Sequence, residues 1–128
     1  MSFGYALRRF REERGLSLRE LGKLSEIDHA YIHRLERDEK TAPSDEVVGA
    51  LARALKLSAR RAELLRQLVG QQSPEQLVEI FIDDHGPSLG LFAPLAEMSF
   101  RGKRPITKED WRRWADRLSK LMTDEASE

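Results

Sequence analysis

The sequence contains no cysteine and no long apolar segment. Without cysteine, disulfide bonds and thiolate metal sites are both excluded. No apolar run approaches the length that a membrane-spanning helix needs, and residues 1–15 are charged throughout, unlike a secretory signal. We therefore expect no membrane partner, and a cytoplasmic location, with which the lack of cysteine is compatible.

The sequence also lacks net charge, since 22 Lys+Arg balance 22 Asp+Glu over 128 residues. This balance hides an asymmetry. Residues 1–70 hold 14 basic and 11 acidic side chains, whereas residues 71–128 hold 8 and 11. Binding to DNA depends on the charge of one face of a protein rather than on its net charge. Overall neutrality therefore does not exclude a nucleic-acid partner.

Apolar residues recur at helical spacing through residues 1–70, and no strand pattern stands out. Five short helices with brief connections are predicted there, which indicates a compact α-domain. Their ends are marked by Gly15, Ser17, Asp28, Ser44 and Ser58. Ser17 and Glu20 have the spacing of a capping box.

Residues 71–128 are predicted to form a second, smaller helical region after a hinge at Gly70 to Ser73. The run Ser73-Pro74-Glu75 indicates a helix that Ser73 caps and that Gly86-Pro87 ends. One or two short helical turns are expected over residues 89–98. A basic loop, "FRGKRPITKED", then leads through a capping box of Thr107 and Asp110 into a last helix.

The stretch Ser17 to Lys40 has the layout of two helices joined by a tight turn. A helix can enter the major groove of DNA when a second helix braces it across the backbone. Ser17–Ser25 would be the bracing helix, Glu26–Ile27 the turn, and Asp28–Arg37 the reading helix.

Five features follow one another over about the first half of the chain: "REERGLS", "LRELGKLS", "YIHRLER", then Pro43, then "LARALKLS". In this order they resemble the Cro/phage-repressor (XRE) type of helix-turn-helix regulator. The resemblance implies an all-α, lambda-repressor-like domain of five helices at residues 1–70. It also implies a transcriptional regulator whose partner is double-stranded DNA.

The resemblance implies a role for each matching residue. Base edges would be contacted from the reading helix by His29, Ala30, His33 and Arg34. Phosphates would be approached by Ser17, Arg19, Arg37 and Lys40. Arg11 and Glu36 match a structural ion pair that ties the first helix to the third.

This sequence departs from the family at two positions and carries unfavourable charge at two more. Leu18 replaces a frequent Gln, and Glu26 occupies a turn position that is often Gly. Asp38 and Glu39 flank the loop that would contact phosphates. We therefore expect modest affinity from one domain and a need for dimerisation.

Other chemistries find little support in the sequence. His29 and His33 share a helical face, but no third metal ligand lies nearby in the sequence. Two exposed histidines, compatible with DNA contact, are therefore favoured over a metal-binding pair. No phosphate-binding glycine loop and no nucleophile elbow is present. Neither an enzyme activity nor a cofactor is predicted.

The second region is predicted to dimerise the protein through residues of its apolar face. The residues expected at this seam are Phe92, Leu95, Trp111, Trp114 and Leu118. "FRGKRPITKEDW" resembles the C-terminal segment of DdrO-type repressors, which implies a COG2856-type metallopeptidase partner and cleavage near Phe100–Arg101. A solvated basic loop between two helices is the alternative interpretation.

The function predicted from these features is that of a sequence-specific repressor. It would bind a pseudo-palindromic operator as a homodimer, with two reading helices in successive major grooves, and cleavage in its C-terminal region would inactivate it. The alternative is an antitoxin-like interaction module that neutralises a partner protein through residues 71–128 and also binds its own operator.

Overall fold

The computed structural model describes residues 2–39 and 42–126, and within those ranges the only regular structure is helical. The elements are α1 (Ser2–Glu13), α2 (Leu18–Ser25), α3 (His29–Glu36), α4 (Asp45–Ala54), α5 (Ala59–Gln67), α6 (Glu75–Ile82), a 3-10 turn (Leu89–Leu91), α7 (Phe92–Glu97) and α8 (Lys108–Ala126). The predicted all-α class is therefore confirmed. Contacts divide the chain into a first unit, Met1–Ser73, and a second unit, Pro74–Glu128.

The core of the first unit forms where α1 packs on α3 and α5, α2 packs on α3 and α4, and α4 packs on α5. The predicted α1 stripe is confirmed, since Phe3, Ala6, Leu7 and Phe10 are all buried. Each later helix adds apolar side chains to the same core, namely Leu21, Ile32, Leu35, Val48, Leu51, Leu55, Leu64, Leu65 and Leu68. Burial of this shared apolar surface holds short helices together that would be marginal alone.

The ends of the helices in the first unit carry the capping signals that the sequence predicts. The side chains of Ser44 and Ser58 accept hydrogen bonds from backbone N–H groups three residues on, at 3.3 and 3.2 Å. Gly15 takes the left-handed conformation after α1, with φ +67°. Each cap satisfies a backbone group that the helix itself leaves unpaired.

The second unit is built around α8, which packs on α6 and on the 3-10 turn. The rings of Phe81 and Phe92 meet edge to face with centroids 5.3 Å apart. The capping box at the start of α8 is confirmed: the Asp110 N–H donates to Thr107 Oγ1 at 3.1 Å, and the Thr107 N–H donates to Asp110 Oδ2 at 3.3 Å. Among the described residues, the buried set of this unit consists of Leu77, Val78, Ile80, Phe81, Ile82, Leu91, Phe92, Leu95, Pro105, Trp111 and Ala115.

The predicted bounds of α6 are wrong at both ends. Pro74 occupies the N-cap position, and no side-chain cap bond forms there. Ser73 instead belongs to the first unit, where its N–H donates to Ser2 Oγ at 2.5 Å. The helix ends at Ile82, with Asp83 in an extended conformation. It therefore stops before the sequence reaches Gly86-Pro87.

None of the helices described combines the length and the apolar character that crossing a bilayer requires.

Candidate nucleic-acid interface

The turn between α2 and α3 forms without the glycine that the sequence lacks at this point. Glu26 adopts the left-handed conformation, with φ 60° and ψ 28°, and its N–H donates to the Gly22 carbonyl. The Ile27 N–H donates to the same carbonyl at 3.2 Å. A non-glycine residue in this conformation costs about 1 kcal/mol. The two hydrogen bonds to Gly22 offset that cost.

A glycine is needed one turn earlier, where α2 passes close to the start of α3. A Cβ atom on Gly22 would lie 3.0 Å from the Ile27 carbonyl oxygen and 3.3 Å from the Cβ atom of His29. Both distances are tighter than ordinary van der Waals contact. The small residue in α2 therefore lets the two helices approach closely enough to fix their crossing.

The start of α3 is capped by Asp28, whose Oδ1 accepts the Ala30 N–H at 3.1 Å, as the sequence predicts. From there the helix has two distinct faces. Ile32 and Leu35 are buried in the core. The opposite face is exposed and carries all four of the predicted base-contacting residues, His29, Ala30, His33 and Arg34.

Glu36, the acid at the end of α3, pairs with a residue of α1 and does not lie on the exposed face of α3. Arg11 Nε and Nη2 donate to the two carboxylate oxygens of Glu36 at 2.7 and 3.0 Å. The Glu36 side chain is only 4% exposed and that of Arg11 13%. Hydrogen bonding to Glu36 raises the pKa of Arg11. This bidentate pair joins α1 to α3, and it prevents Glu36 from repelling an approaching phosphate.

The two acids that follow α3, Asp38 and Glu39, also have partners within the chain. Asp38 Oδ1 accepts the backbone N–H of Gly4 at 3.3 Å. Glu39 forms a salt bridge with the exposed Arg37, at 3.0 Å. An exposed pair of this kind contributes little to stability. Arg37 can therefore exchange Glu39 for a phosphate at low cost.

Two of the predicted phosphate contacts lie at the exposed start of α2. Ser17 Oγ accepts the Glu20 N–H at 3.0 Å, and Glu20 Oε1 accepts the Ser17 N–H at 3.1 Å, so the predicted capping box is confirmed. Hydrogen bonds from Ser17 lower the pKa of the Glu20 carboxyl. Arg19 is exposed on the same turn.

A depression joins the starts of α2 and α3, and it contains one cation that the sequence reasoning missed. It is lined by Arg19, Gly22, Lys23, Ile27, Asp28 and His29. Lys23 lies four residues after Arg19, so the two cations share one helical face. That spacing was the available signal for Lys23. The predicted phosphate contact Lys40 lies outside the described residues.

The residues predicted at a dimer seam divide into two sets. Phe92, Leu95 and Trp111 are at most 1% exposed, within the core of the second unit. Trp114 and Leu118 are partly exposed on α8. Side chains as buried as the first set already contact their own unit. The second set is the one that a partner could reach.

The predicted cleavage position lies in the irregular segment between α7 and α8. Arg101 is exposed. The ring of Phe100 packs edge to face on Trp114 and Trp111, with centroids 5.2 and 5.8 Å apart. The side chain before the predicted bond is therefore held by aromatic contacts, while the one after it is in solvent.

The first unit is thus an α-helical domain that presents the outer face of a braced, capped helix, which is the arrangement of a helix-turn-helix protein. A family model described as "helix-turn-helix domain" matches residues 2–68. The chain belongs to that family. It is also 33% identical over 117 residues to the HTH-type transcriptional regulator DdrOP3 of Deinococcus deserti, an alignment that covers 82% of this chain and 86% of the relative. The predicted resemblance to helix-turn-helix regulators, including the DdrO type, is confirmed, and both comparisons support DNA binding in transcription regulation.

Proposed function

We propose that this protein is a sequence-specific DNA-binding repressor that inserts α3 into the major groove. The observation that carries the proposal is the exposed face of α3, near which Glu36, Asp38 and Glu39 each have a partner within the chain. A helix-turn-helix protein contacts base edges with the first residues of the second helix of the motif. In this protein that helix is α3. We assign no catalytic step to the chain, and its proposed place of action is the cytoplasm.

The four exposed residues of α3 match the chemistry of base edges. Arg34 can donate two hydrogen bonds to the O6 and N7 atoms of guanine, and Ala30 can contact the methyl group of thymine. Neutral His29 and His33 can each donate or accept a hydrogen bond. These side chains would supply the sequence preference of the protein.

A second group of residues would fix the protein on the DNA backbone without reading sequence. The N–H groups at the start of α2 and the hydroxyl of Ser17 favour a phosphate there. Arg19 and Lys23 extend this positive surface towards α3. Arg37 would contact a phosphate after releasing Glu39, and we place Lys40 in the same role.

The test is binding of the full chain to an operator selected from random DNA, measured across salt concentrations. His33→Ala/Arg34→Ala should relax the sequence preference, and Arg34→Ala alone should cost about 1–3 kcal/mol of binding. Arg37→Ala should weaken binding to all sequences alike and reduce the salt slope by about 1. Arg66→Ala is the matched control, because Arg66 is an exposed arginine of α5. An unchanged sequence preference in the double variant would refute the assignment of α3.

We further propose that the protein binds its operator as a homodimer. Beyond Trp114 and Leu118, α8 exposes Leu121 (62%) and Met122 (47%), so an apolar strip runs along this helix. Large apolar side chains exposed together are typical of interaction surfaces. A two-fold dimer would present two copies of α3 to half-sites about 34 Å apart on a pseudo-palindrome.

Sedimentation of the full chain tests this dimer. Leu121→Glu places a charge in the proposed seam and should shift the protein to monomers. Leu24→Glu is the control, because Leu24 is 57% exposed on α2 in the first unit. Equal effects of the two changes, or a wild-type protein that is monomeric at all concentrations, would contradict the proposed seam.

The third proposal is inactivation by a COG2856-type metallopeptidase at Phe100–Arg101. Exposed irregular segments are the preferred sites of proteolytic cleavage, and Phe100–Arg101 lies in such a segment. Incubation of the protein with such a peptidase, followed by mass measurement of the fragments, should give a product that ends at Phe100. Fragments that end elsewhere, or an intact chain, would count against this site.

A further inference from the structure

A concave, strongly cationic cavity lies in the second unit, where the basic loop meets α8. Its volume is about 140 Å³, and it is lined by Lys103, Arg104, Pro105, Asp110, Arg113, Trp114 and Arg117. Four of these side chains are cations and one is a carboxylate. Clefts lined by charge of one sign concentrate ligands of the opposite sign.

The single carboxylate does not neutralise this cavity. Asp110 accepts the N–H groups of Ile106 and Thr107, and these bonds lower the pKa of its carboxyl. Its other oxygen contacts Arg113. Among the residues that the structure describes, none forms a salt bridge with Lys103 or Arg104. An excess of positive charge therefore faces the cavity without a partner from the described chain.

One wall of the cavity is held in place by aromatic packing. The guanidinium of Arg117 lies over the ring of Trp114, 5.3 Å from its centroid. Phe100 packs edge to face on the same ring. Pro105, in the basic loop that lines the cavity, is also buried. These contacts restrict the side chains that would otherwise lose conformational freedom on binding a ligand.

We propose that this cavity binds a small phosphorylated compound through its phosphate groups. Guanidinium groups bind phosphate oxygens in a bidentate manner, and Lys103 adds a further donor. A cavity of about 150 Å³ holds one benzene-sized molecule, so this one has room for a compact anionic group. Four cations against one carboxylate favour a multiply charged anion over a single carboxylate. No residue of α3 lines this cavity, so the proposed ligand does not depend on the proposed DNA contacts.

Direct binding to the full chain tests the site, with inorganic pyrophosphate as the probe. Equilibrium dialysis at constant ionic strength, set with sodium chloride, should show saturable binding of one pyrophosphate per chain. Arg104→Glu should weaken this binding at least about tenfold, because a charge-assisted contact is lost and a repulsive charge is added. The fluorescence of Trp114 should change on binding, and this change should be absent from Trp114→Phe.

The matched control is Arg112→Glu. Arg112 precedes Arg113 on α8, is half-exposed and pairs with Glu109 rather than lining this cavity. Its substitution changes the net charge of the protein by the same amount as Arg104→Glu. Affinity for pyrophosphate within about twofold of wild type is expected, since surface charges away from a site have small effects.

Three results would overturn the proposal. Dialysis could show no saturable binding of pyrophosphate. Arg112→Glu could weaken binding as much as Arg104→Glu, which would indicate a general effect of charge. Finally, a short single-stranded oligonucleotide could bind in an Arg104-dependent way while pyrophosphate does not, which would assign the surface to a nucleic-acid backbone. Circular dichroism of each variant verifies that it is folded.

Discussion

The two units of this protein differ in how completely each covers its own apolar residues. Among the residues of the first unit that the structure describes, Leu24 is the one large apolar side chain that is strongly exposed. In the second, Ile106, Leu121 and Met122 are exposed, and two of these lie near the end of the longest helix. A set of short helices that meet around one core can bury their apolar faces among themselves. A long helix that packs on few other helices leaves part of its apolar face exposed, where another molecule can bind.

The units also use their charges differently. Around α3, Asp28 caps the helix, Glu36 pairs with an arginine of α1 and Asp38 accepts a backbone N–H, so these three acids fix the geometry of the first unit. In the second unit, the basic loop brings cations together with a single carboxylate. Charged residues therefore stabilise the structure of the first unit, whereas in the second unit they concentrate positive charge around one cavity.

The largest effect is expected from Arg11→Met in the first unit. This change leaves the buried Glu36 carboxylate without its partner and should lower the free energy of unfolding by about 3–5 kcal/mol. Chemical denaturation followed by circular dichroism measures it. Arg8→Met is the control, because the Arg8–Glu12 pair is exposed on both sides (66% and 55%) and should contribute far less to stability than the buried pair. Similar losses in both variants would contradict the contrast between buried and exposed pairs.

In the second unit, Leu95→Ala should cost about 2–5 kcal/mol, because Leu95 is fully buried and its truncation leaves a cavity. Leu121→Ala removes the same atoms from an exposed position and should change the stability by less than about 0.5 kcal/mol. Denaturation at a protein concentration low enough to keep the chain monomeric separates these effects from dimerisation. If Leu121→Ala were as costly as Leu95→Ala, Leu121 would belong to a core.

A smaller effect is expected from Gly4→Ala. The added Cβ would lie 2.5 Å from the backbone oxygen of Glu36, so α1 and α3 must move apart. Overpacking of this kind costs about 1–3 kcal/mol, and the shift of α3 should also weaken operator binding.

The control for that change is Gly49→Ala in α4, whose Cβ would meet only the flexible end of Arg53 at 3.3 Å. Alanine favours a helix over glycine by up to about 1 kcal/mol, so Gly49→Ala should be neutral or stabilising. Differential scanning calorimetry of both variants gives the comparison. Equal destabilisation would show that the approach of α1 to α3 is not what requires Gly4.

The smallest effect concerns pH and the two capping boxes, one in each unit. Glu20 and Asp110 both have lowered carboxyl pKa values, so their ionised forms favour the folded state. This contribution is complete above the ordinary pKa values, about 4.3 for Glu and 3.9 for Asp. It is lost as the pH falls through the lowered values.

Glu20→Gln tests this for the first unit and Asp110→Asn for the second. Each variant should be less stable than wild type near neutral pH, and the difference should vanish in acid. Urea denaturation at a series of pH values measures both. A difference that is independent of pH would show that the charge of the carboxylate contributes nothing.

Much of the first unit could be predicted from local signals in the sequence. The α1 stripe, the capping box at Ser17 and the cap at Asp28 each depend on residues within one or two turns, and each is confirmed. Lys23 was missed because the depression also takes residues from the turn and from the start of α3, which spacing along α2 does not predict. The predicted start of α6 was wrong because the Ser73 N–H forms a hydrogen bond with Ser2, a residue far away in sequence.

The seam predicted in the second region shows the limit of periodicity more clearly. Trp111 and Trp114 both recur at helical spacing, yet one is buried in its own unit and the other is partly exposed. Spacing assigns residues to a face, but only the packed neighbours determine how much of that face is covered.

The sequence by itself determined the helical class, the capped starts of α2, α3, α4, α5 and α8, and the order of motifs that defines the helix-turn-helix. These features depend on contacts between near neighbours along the chain. The tertiary structure alone decided that Glu36 turns inward to Arg11, that Leu95 is core while Leu121 is surface, and that four cations meet around one cavity. Such distances join residues from separate elements, and only packing brings those elements together.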